Sequence, residues 1–183
     1  MRGFILLANG FEESEVVVTI DILRRAKIII DMVSVTNELQ LVSTHEVKLI
    51  ADKRLIDIKP TEYDFLVIPG GLKSVLTLHN RSDISEIILD FFEKNKLIAS
   101  ICAGPSLVSK LGIFKGHKFT CFPGFEKYHE DGIYLPSEDL IVDGNFITAR
   151  SMANVYSFAL AIVGNILGKE EENKIRKLIA GKV

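Results

Sequence analysis

The chain of 183 residues carries 22 basic and 24 acidic side chains, a net charge of −2, and only two cysteines, Cys102 and Cys121. With 48% hydrophobic and 25% charged residues and a mean hydropathy of +0.25, it lies far from the composition of disorder. A chain of this length builds one core, residues 1–183 as a single domain, without disulfide staples. A sequence pI of about 6.1 leaves no electrostatic footprint for nucleic acid. The N-terminal apolar run is too short for a secretion signal, so the cytoplasm is the expected address.

In chain order, residues 3–8 read as a strand, Asn9-Gly10 as a turn, and residues 14–26 as a helix with Ser14 as N-cap and Arg24 and Arg25 at the end that its dipole favours for cations. Residues 27–36, rich in isoleucine and valine, complete a β-α-β unit. Residues 39–43 and 47–51 suggest two short strands joined across Thr44-His45. Phe65 to Pro69 form an apolar strand that stops at Pro69-Gly70-Gly71. Residues 83–95 repeat Ile84, Ile87, Ile88, Phe91 and Phe92 at helical spacing.

Residues 97–101 are a further apolar strand ending at Cys102-Ala103-Gly104-Pro105, with a helix to about Leu111. A mixed stretch over 119–134 precedes a hairpin of 140–142 with 146–149, turned by Asp143-Gly144-Asn145. Residues 154–167 form the next helix; the surrounding stretch has no charge, but its apolar residues lie on one stripe, so it reads as a buried helix and not a membrane span. A charged helix from Glu170 closes the chain, with the cluster over 169–177 read as a solvated face. Apolar strands alternating with amphipathic helices specify an α/β fold, a mostly parallel sheet covered on both faces.

Ligands of such sheets bind beyond the carboxyl ends of the strands. Three loops there carry unusual residues: Asn9 to Glu15, Pro69-Gly70-Gly71, and Cys102 to Pro105. Cys102 stands at a strand-to-helix junction. It is either a small buried hydrophobe or a nucleophile whose thiol faces the amides of the following helix, which would lower its pKa. Glu12, Glu13 and Glu15 crowd the start of the first helix, where acidic residues also simply complement the dipole. Glu15, ahead of Val16-Val17-Val18, is the one set nearest the sheet; buried, it would hold a proton and donate a hydrogen bond to a thiolate. Gly70 and Gly71 permit close backbone approach and offer amides to an oxyanion, or form an ordinary turn. Cys121, beside Phe122-Pro123, reads as structural. His45, His79, His117 and His129 show no ligand spacing, and no dinucleotide or P-loop fingerprint occurs, so neither metal nor cofactor is expected.

Taken together, Leu6 to Ala26 with its Gly10-Phe11-Glu12-Glu13-Ser14-Glu15 run, Asp64 to Gly71 with its Pro-Gly-Gly, Ala99 to Pro105, and the segment from Asp143 to Val163 resemble the ThiJ/PfpI superfamily over essentially the whole chain, in the branch of the Parkinsonism-associated deglycase and bacterial ThiJ-type proteins. The resemblance implies a flavodoxin-like doubly wound sandwich and a homodimer. It also implies an elbow cysteine bonded to a protonated glutamate, roles that fall on Cys102 and Glu15, with oxyanion amides from Gly70, Gly71 and Ala103. The activity implied is cysteine-dependent chemistry on reactive dicarbonyls such as methylglyoxal or on glycated proteins, with no cofactor, no nucleic acid and no membrane. Alternatives are a redox-responsive or chaperone-like protein acting through oxidation of Cys102, a peptidase or amidase, and a thiazole-biosynthesis protein. Peptidase-type members have histidine where this chain has Ala103. Deglycase-type members often have histidine at the position of Phe122. Glutaminases that share a related elbow need a later His-x-Glu, which is missing here. Ser151-Met152-Ala153 replaces a family Gly-Pro-Gly, and His45 stands where an interface arginine is common.

Overall fold

The computed structural model describes residues 1–128 and 132–182; His129 falls outside them. Among the described residues, six α-helices and eleven strands follow in the order β1 (Arg2–Leu7), α1 (Glu13–Arg25), β2 (Ile29–Ser34), β3 (Gln40–Val42), β4 (Lys48–Ile50), β5 (Lys53–Arg54), β6 (Phe65–Ile68), α2 (Leu72–His79), α3 (Ser82–Glu93), β7 (Leu97–Ile101), α4 (Pro105–Ser109), β8 (Lys118–Phe119), β9 (Ile133–Tyr134), β10 (Leu140–Asp143), β11 (Phe146–Ala149), α5 (Val155–Leu167) and α6 (Lys169–Ile179). The central sheet runs β10-β11-β7-β6-β1-β2-β5. Every pairing in it is parallel except β10 with β11. This is the doubly wound, flavodoxin-like sandwich expected from the sequence.

Strand alternation assigns each side chain to a layer. Ile5 and Leu7 of β1 join Val67, Ala99 and Ile147 under α1 and α5, whose Val16, Ile20, Leu23, Phe158 and Ile162 fill the first core. Phe4 and Leu6 join Leu66, Ile68 and Ile98 on the other face, closed by Val75 and Leu78 of α2, Ile84, Ile88 and Phe91 of α3, and Leu107 and Val108 of α4. Burial on both faces explains why β6 and β7 read as unbroken apolar runs. Gly3 is small for a packing reason, since a Cβ there would lie 2.2 Å from the Phe65 ring.

Several boundaries differ from the sequence reading. Glu12, not Ser14, caps α1: its Oε2 accepts the Glu15 N–H at 2.7 Å and the Ser14 hydroxyl at 2.6 Å. A longer carboxylate reached the same orphan amide that a serine would have taken. Helix α2 was absent from the reading because the Pro-Gly-Gly segment looks like an extended loop, and β5 is a two-residue edge strand below the length that periodicity detects. The cluster over 169–177 is not wholly solvated. Glu172 is buried and receives Lys169 and Arg176, its carboxyl held below the usual range by those bonds against the cost of burial. Among the described residues no helix is long and apolar enough to cross a membrane, and α5 is a 13-residue buried helix.

Candidate functional site

Strand order reverses between β1 and β6, so the loops after these strands open onto the crevice where doubly wound sheets bind ligands. The two loops are laced together. Gly71 has φ +93°, and a Cβ there would stand 2.2 Å from the Gly10 carbonyl oxygen and 2.7 Å from the Glu12 nitrogen, so only glycine fits. The Glu12 N–H donates to the Gly70 carbonyl at 3.3 Å. Hairpin β3–β4 seals the outside: Gly10 N–H donates to Val42 O at 2.7 Å, and Val42 N–H donates to Asn9 Oδ1 at 2.8 Å.

The third loop follows β7, next to β6. Cys102 takes φ +61°, a left-handed conformation that costs a non-glycine residue about 1–2 kcal/mol. Its neighbours hold it there: the Cys102 N–H donates to Ala149 O at 2.9 Å and its carbonyl accepts the Phe122 N–H at 2.8 Å. Gly104 lets the elbow sit on β6, since a Cβ there would be 2.4 Å from the Ile68 oxygen. The thiol is therefore presented at the rim and remains partly exposed.

Glu15 lies in the first turn of α1 and is 0% exposed. Its Oε2 accepts the Gly70 N–H at 2.6 Å, and Oε1 is buried with no hydrogen-bond partner. A Cβ built on Gly70 would lie 2.8 Å from Glu15 Oε2, 2.8 Å from Cys102 Cβ and 3.1 Å from Cys102 Sγ, so carboxyl and thiol converge on the bare face of this glycine. Burial pushes the Glu15 pKa up to about 7; the Gly70 amide opposes that rise, and the charge of Glu12 adds to it.

Electrostatics at sulfur run against the sequence expectation. Burial pushes the Cys102 thiol above its ordinary range, and the charge and hydrogen bond of Glu15 push it further; the Ala103 N–H works the other way. Helix α4 has only five residues, so little dipole is available to offset a buried, acid-facing site. Thiol and carboxyl form one titrating unit, and protonation of Glu15 removes the charge that raises the thiol.

The structure thus brings together Cys102, Glu15, Gly70, Gly71 and Ala103. The Gly70 amide, however, is engaged by Glu15, which leaves the Gly71 and Ala103 amides as the better placed of the three for an oxyanion. Phe122 is 44% exposed beside the elbow and stacks edge-on with Phe125, making an apolar wall. Cys121 is fully buried, with its pKa pushed up to about 12 by burial and by the charge of Glu126, while Tyr134 opposes the rise.

One juxtaposition was not legible in the sequence. His45 Nδ1 lies 2.7 Å from Glu13 Oε1, and the ligand atoms of Glu12, Glu13 and His45 fall within 4.8 Å of one another. The histidine arrives from 32 residues away on the β3–β4 turn, beyond the reach of any local spacing rule. His117 stands 3.5 Å from Asp143, beside Gly144 in the β10–β11 turn. A separate cavity of about 610 Å³, lined by residues such as Val35, Leu55, Ile87 and Asp90, shares no residue with them.

Comparison with known proteins gives a consistent picture. The description of the DJ-1/PfpI family matches residues 1–165. The Parkinson disease protein 7 homolog of Danio rerio is 33% identical over 178 residues, covering 96% of this chain and 94% of that protein. Protein DJ-1 homolog B of Arabidopsis thaliana is 36% identical over 172 residues, 93% of this chain, but this chain spans only 39% of that protein. Among solved structures, Drosophila melanogaster DJ-1beta superposes with a TM-score of 0.92 at 28% identity, covering 98% of both chains. Oxidized Toxoplasma gondii DJ-1 superposes with a TM-score of 0.91 at 25% identity, covering 98% of this chain and 97% of that one.

Proposed function

Because the chain belongs to the DJ-1/PfpI family, we propose that it is a cysteine-dependent enzyme acting on reactive dicarbonyls such as methylglyoxal, or on their adducts with proteins. The observation that carries this reading is the convergence of the Cys102 thiol and the buried Glu15 carboxyl on Gly70.

The sulfur attacks the aldehyde carbon as its proton passes by way of the Glu15 carboxylate to the former aldehyde oxygen, forming a hemithioacetal and leaving Glu15 ionised. Glu15, with a pKa near 7, then takes the hydrogen of that carbon as a proton and returns it to the adjacent carbon, giving a thioester of the 2-hydroxy acid. Water hydrolyses the thioester to lactate and regenerates the thiol. Methylglyoxal plus water gives lactate with no external oxidant or reductant, because one carbon is oxidised as its neighbour is reduced. The amides of Gly71 and Ala103, with Gly70 holding Glu15, stabilise the developing oxygen charge. The enzyme works as a homodimer in this reading; exposed Val17 on α1 and Val42 and Val47 on the hairpin beside the site support it.

Cys102→Ser should abolish lactate formation from methylglyoxal, and unchanged turnover refutes the proposal. A second reading is an oxidation sensor or chaperone in which Cys102 becomes a sulfinate held by the Glu15 proton; the similar Toxoplasma gondii protein was solved oxidized. Mild peroxide followed by mass spectrometry should then add two oxygens to Cys102 and spare Cys121, and equal modification of both defeats that reading.

A further inference from the structure

A short helix cannot by itself aim the one amide that favours the Cys102 thiolate. The Ala103 N–H is the group that lowers the thiol pKa, so its direction matters, yet α4 begins only at Pro105 and ends at Ser109. The residue is fixed from its other side. The Ala103 carbonyl accepts two bonds from Ser106, the hydroxyl at 2.7 Å and the backbone N–H at 3.2 Å. Ser106 is fully buried, and His79 Nε2 lies 2.9 Å from its Oγ. A serine has one hydroxyl proton. With that proton on the Ala103 oxygen, Nε2 must be the donor, so His79 holds the serine rotor in its bonding direction.

His79 is the last residue of α2, whose N-cap is Gly71. One two-turn helix therefore touches the nucleophile loop at both ends: the glycine loop meets Cys102 and Glu15, and the histidine meets Ser106. Lys110 closes the clamp by donating from Nζ to the His79 carbonyl at 2.7 Å. His79 reaches the elbow here through the Ser106 hydroxyl, and Lys110 through the His79 carbonyl, not at the reacting atoms.

We infer that His79 is a positioning residue, which through Ser106 locks Ala103 so that its amide faces the Cys102 sulfur. This inference rests on the proposed role of Cys102 as a nucleophile and adds a device that tunes it.

The test is the rate of Cys102 alkylation by iodoacetamide across pH 5.5–9.5, resolved from Cys121 by peptide mass spectrometry, in the full chain. His79→Ala and Ser106→Ala should each slow alkylation near neutral pH by about tenfold, the factor associated with losing one hydrogen bond, and move its pH midpoint upward. His79→Gln and Ser106→Thr, which keep a donor and a hydroxyl, should stay within about twofold of the parent. A merely structural role would lower the melting temperature of the alanine variants without moving the midpoint, and that result overturns the inference. Alkylation of parental Cys102 no faster than that of Cys121 defeats the nucleophile reading itself and the inference with it, a failure seen in the parent before any variant is made.

Discussion

Replacing Glu15 by glutamine should stabilise the fold above neutral pH while removing the chemistry. Glu15 is fully buried, and burial raises its pKa from an ordinary 4.5 to about 7. A carboxyl whose folded pKa lies above its unfolded one binds its proton more tightly in the native state. Its contribution to stability is therefore complete below 4.5 and is lost as pH rises toward 7. At about 1.4 kcal/mol for each pH unit, the cost reached above pH 7 is about 3 kcal/mol. Glutamine cannot ionise and escapes it, while its amide oxygen still accepts the Gly70 N–H that Glu15 Oε2 now takes at 2.6 Å. Urea unfolding of both proteins at pH 5, 6.5 and 8 measures the difference directly. His79, whose pKa burial and Lys110 lower, loses stability toward acid in both proteins and cancels in the comparison. The glutamine variant should match the parent within about 1 kcal/mol at pH 5, exceed it by about 2–3 kcal/mol at pH 8, and form no lactate at either. A stability difference that does not change with pH refutes the reasoning, because it would mean that Glu15 is not held protonated by burial.

Two further substitutions probe the same frame. Gly70→Ala sets a methyl 2.8 Å from both Glu15 Oε2 and Cys102 Cβ, so thermal unfolding should show a loss of about 1–3 kcal/mol, accompanied by slower Cys102 alkylation. Asp31 on β2 receives Arg2 at 2.7 Å, Lys53 at 3.1 Å and the Tyr63 hydroxyl at 2.7 Å. Despite the opposing cost of burial, these bonds hold its pKa below the ordinary value. Asp31→Asn should therefore cost about 1–3 kcal/mol at pH 7, and because the stability conferred by a depressed carboxyl disappears as pH falls through its folded pKa, the deficit should close in acid denaturation series.

Much of this architecture was legible because the relevant signals are local. The apolar run at Leu97–Ile101, the helical repeat from Ile84 to Phe92 and the turn at Gly144 each specify backbone geometry within a few residues, and the structure matches them to within one or two positions. Alternation of these elements was enough to require a covered parallel sheet. The chemistry-bearing residues were also visible, since a cysteine at a strand end and a carboxylate at a helix start are defined by their immediate neighbours. Helix α2 escaped because its start is a glycine pair that also suits a loop, and the cap of α1 was misplaced because Glu12 does the work of a shorter side chain.

What the chain order could not supply was any relation across more than one element. The closeness of Cys102 to Glu15 depends on β1, β6 and β7 lying side by side in the sheet, and the engagement of the Gly70 amide by a carboxylate 55 residues away follows from that packing. The sign of the thiol shift was likewise decided in three dimensions. A strand-to-helix junction predicts an activated thiolate from the backbone alone, whereas burial beside a second acid raises the thiol and leaves a single amide, Ala103, on the other side of the balance. The residue types and their local geometry were written in the sequence by short-range sterics and hydrophobic period; the protonation states were set by long-range packing, since the free energy of a charge depends on everything folded around it.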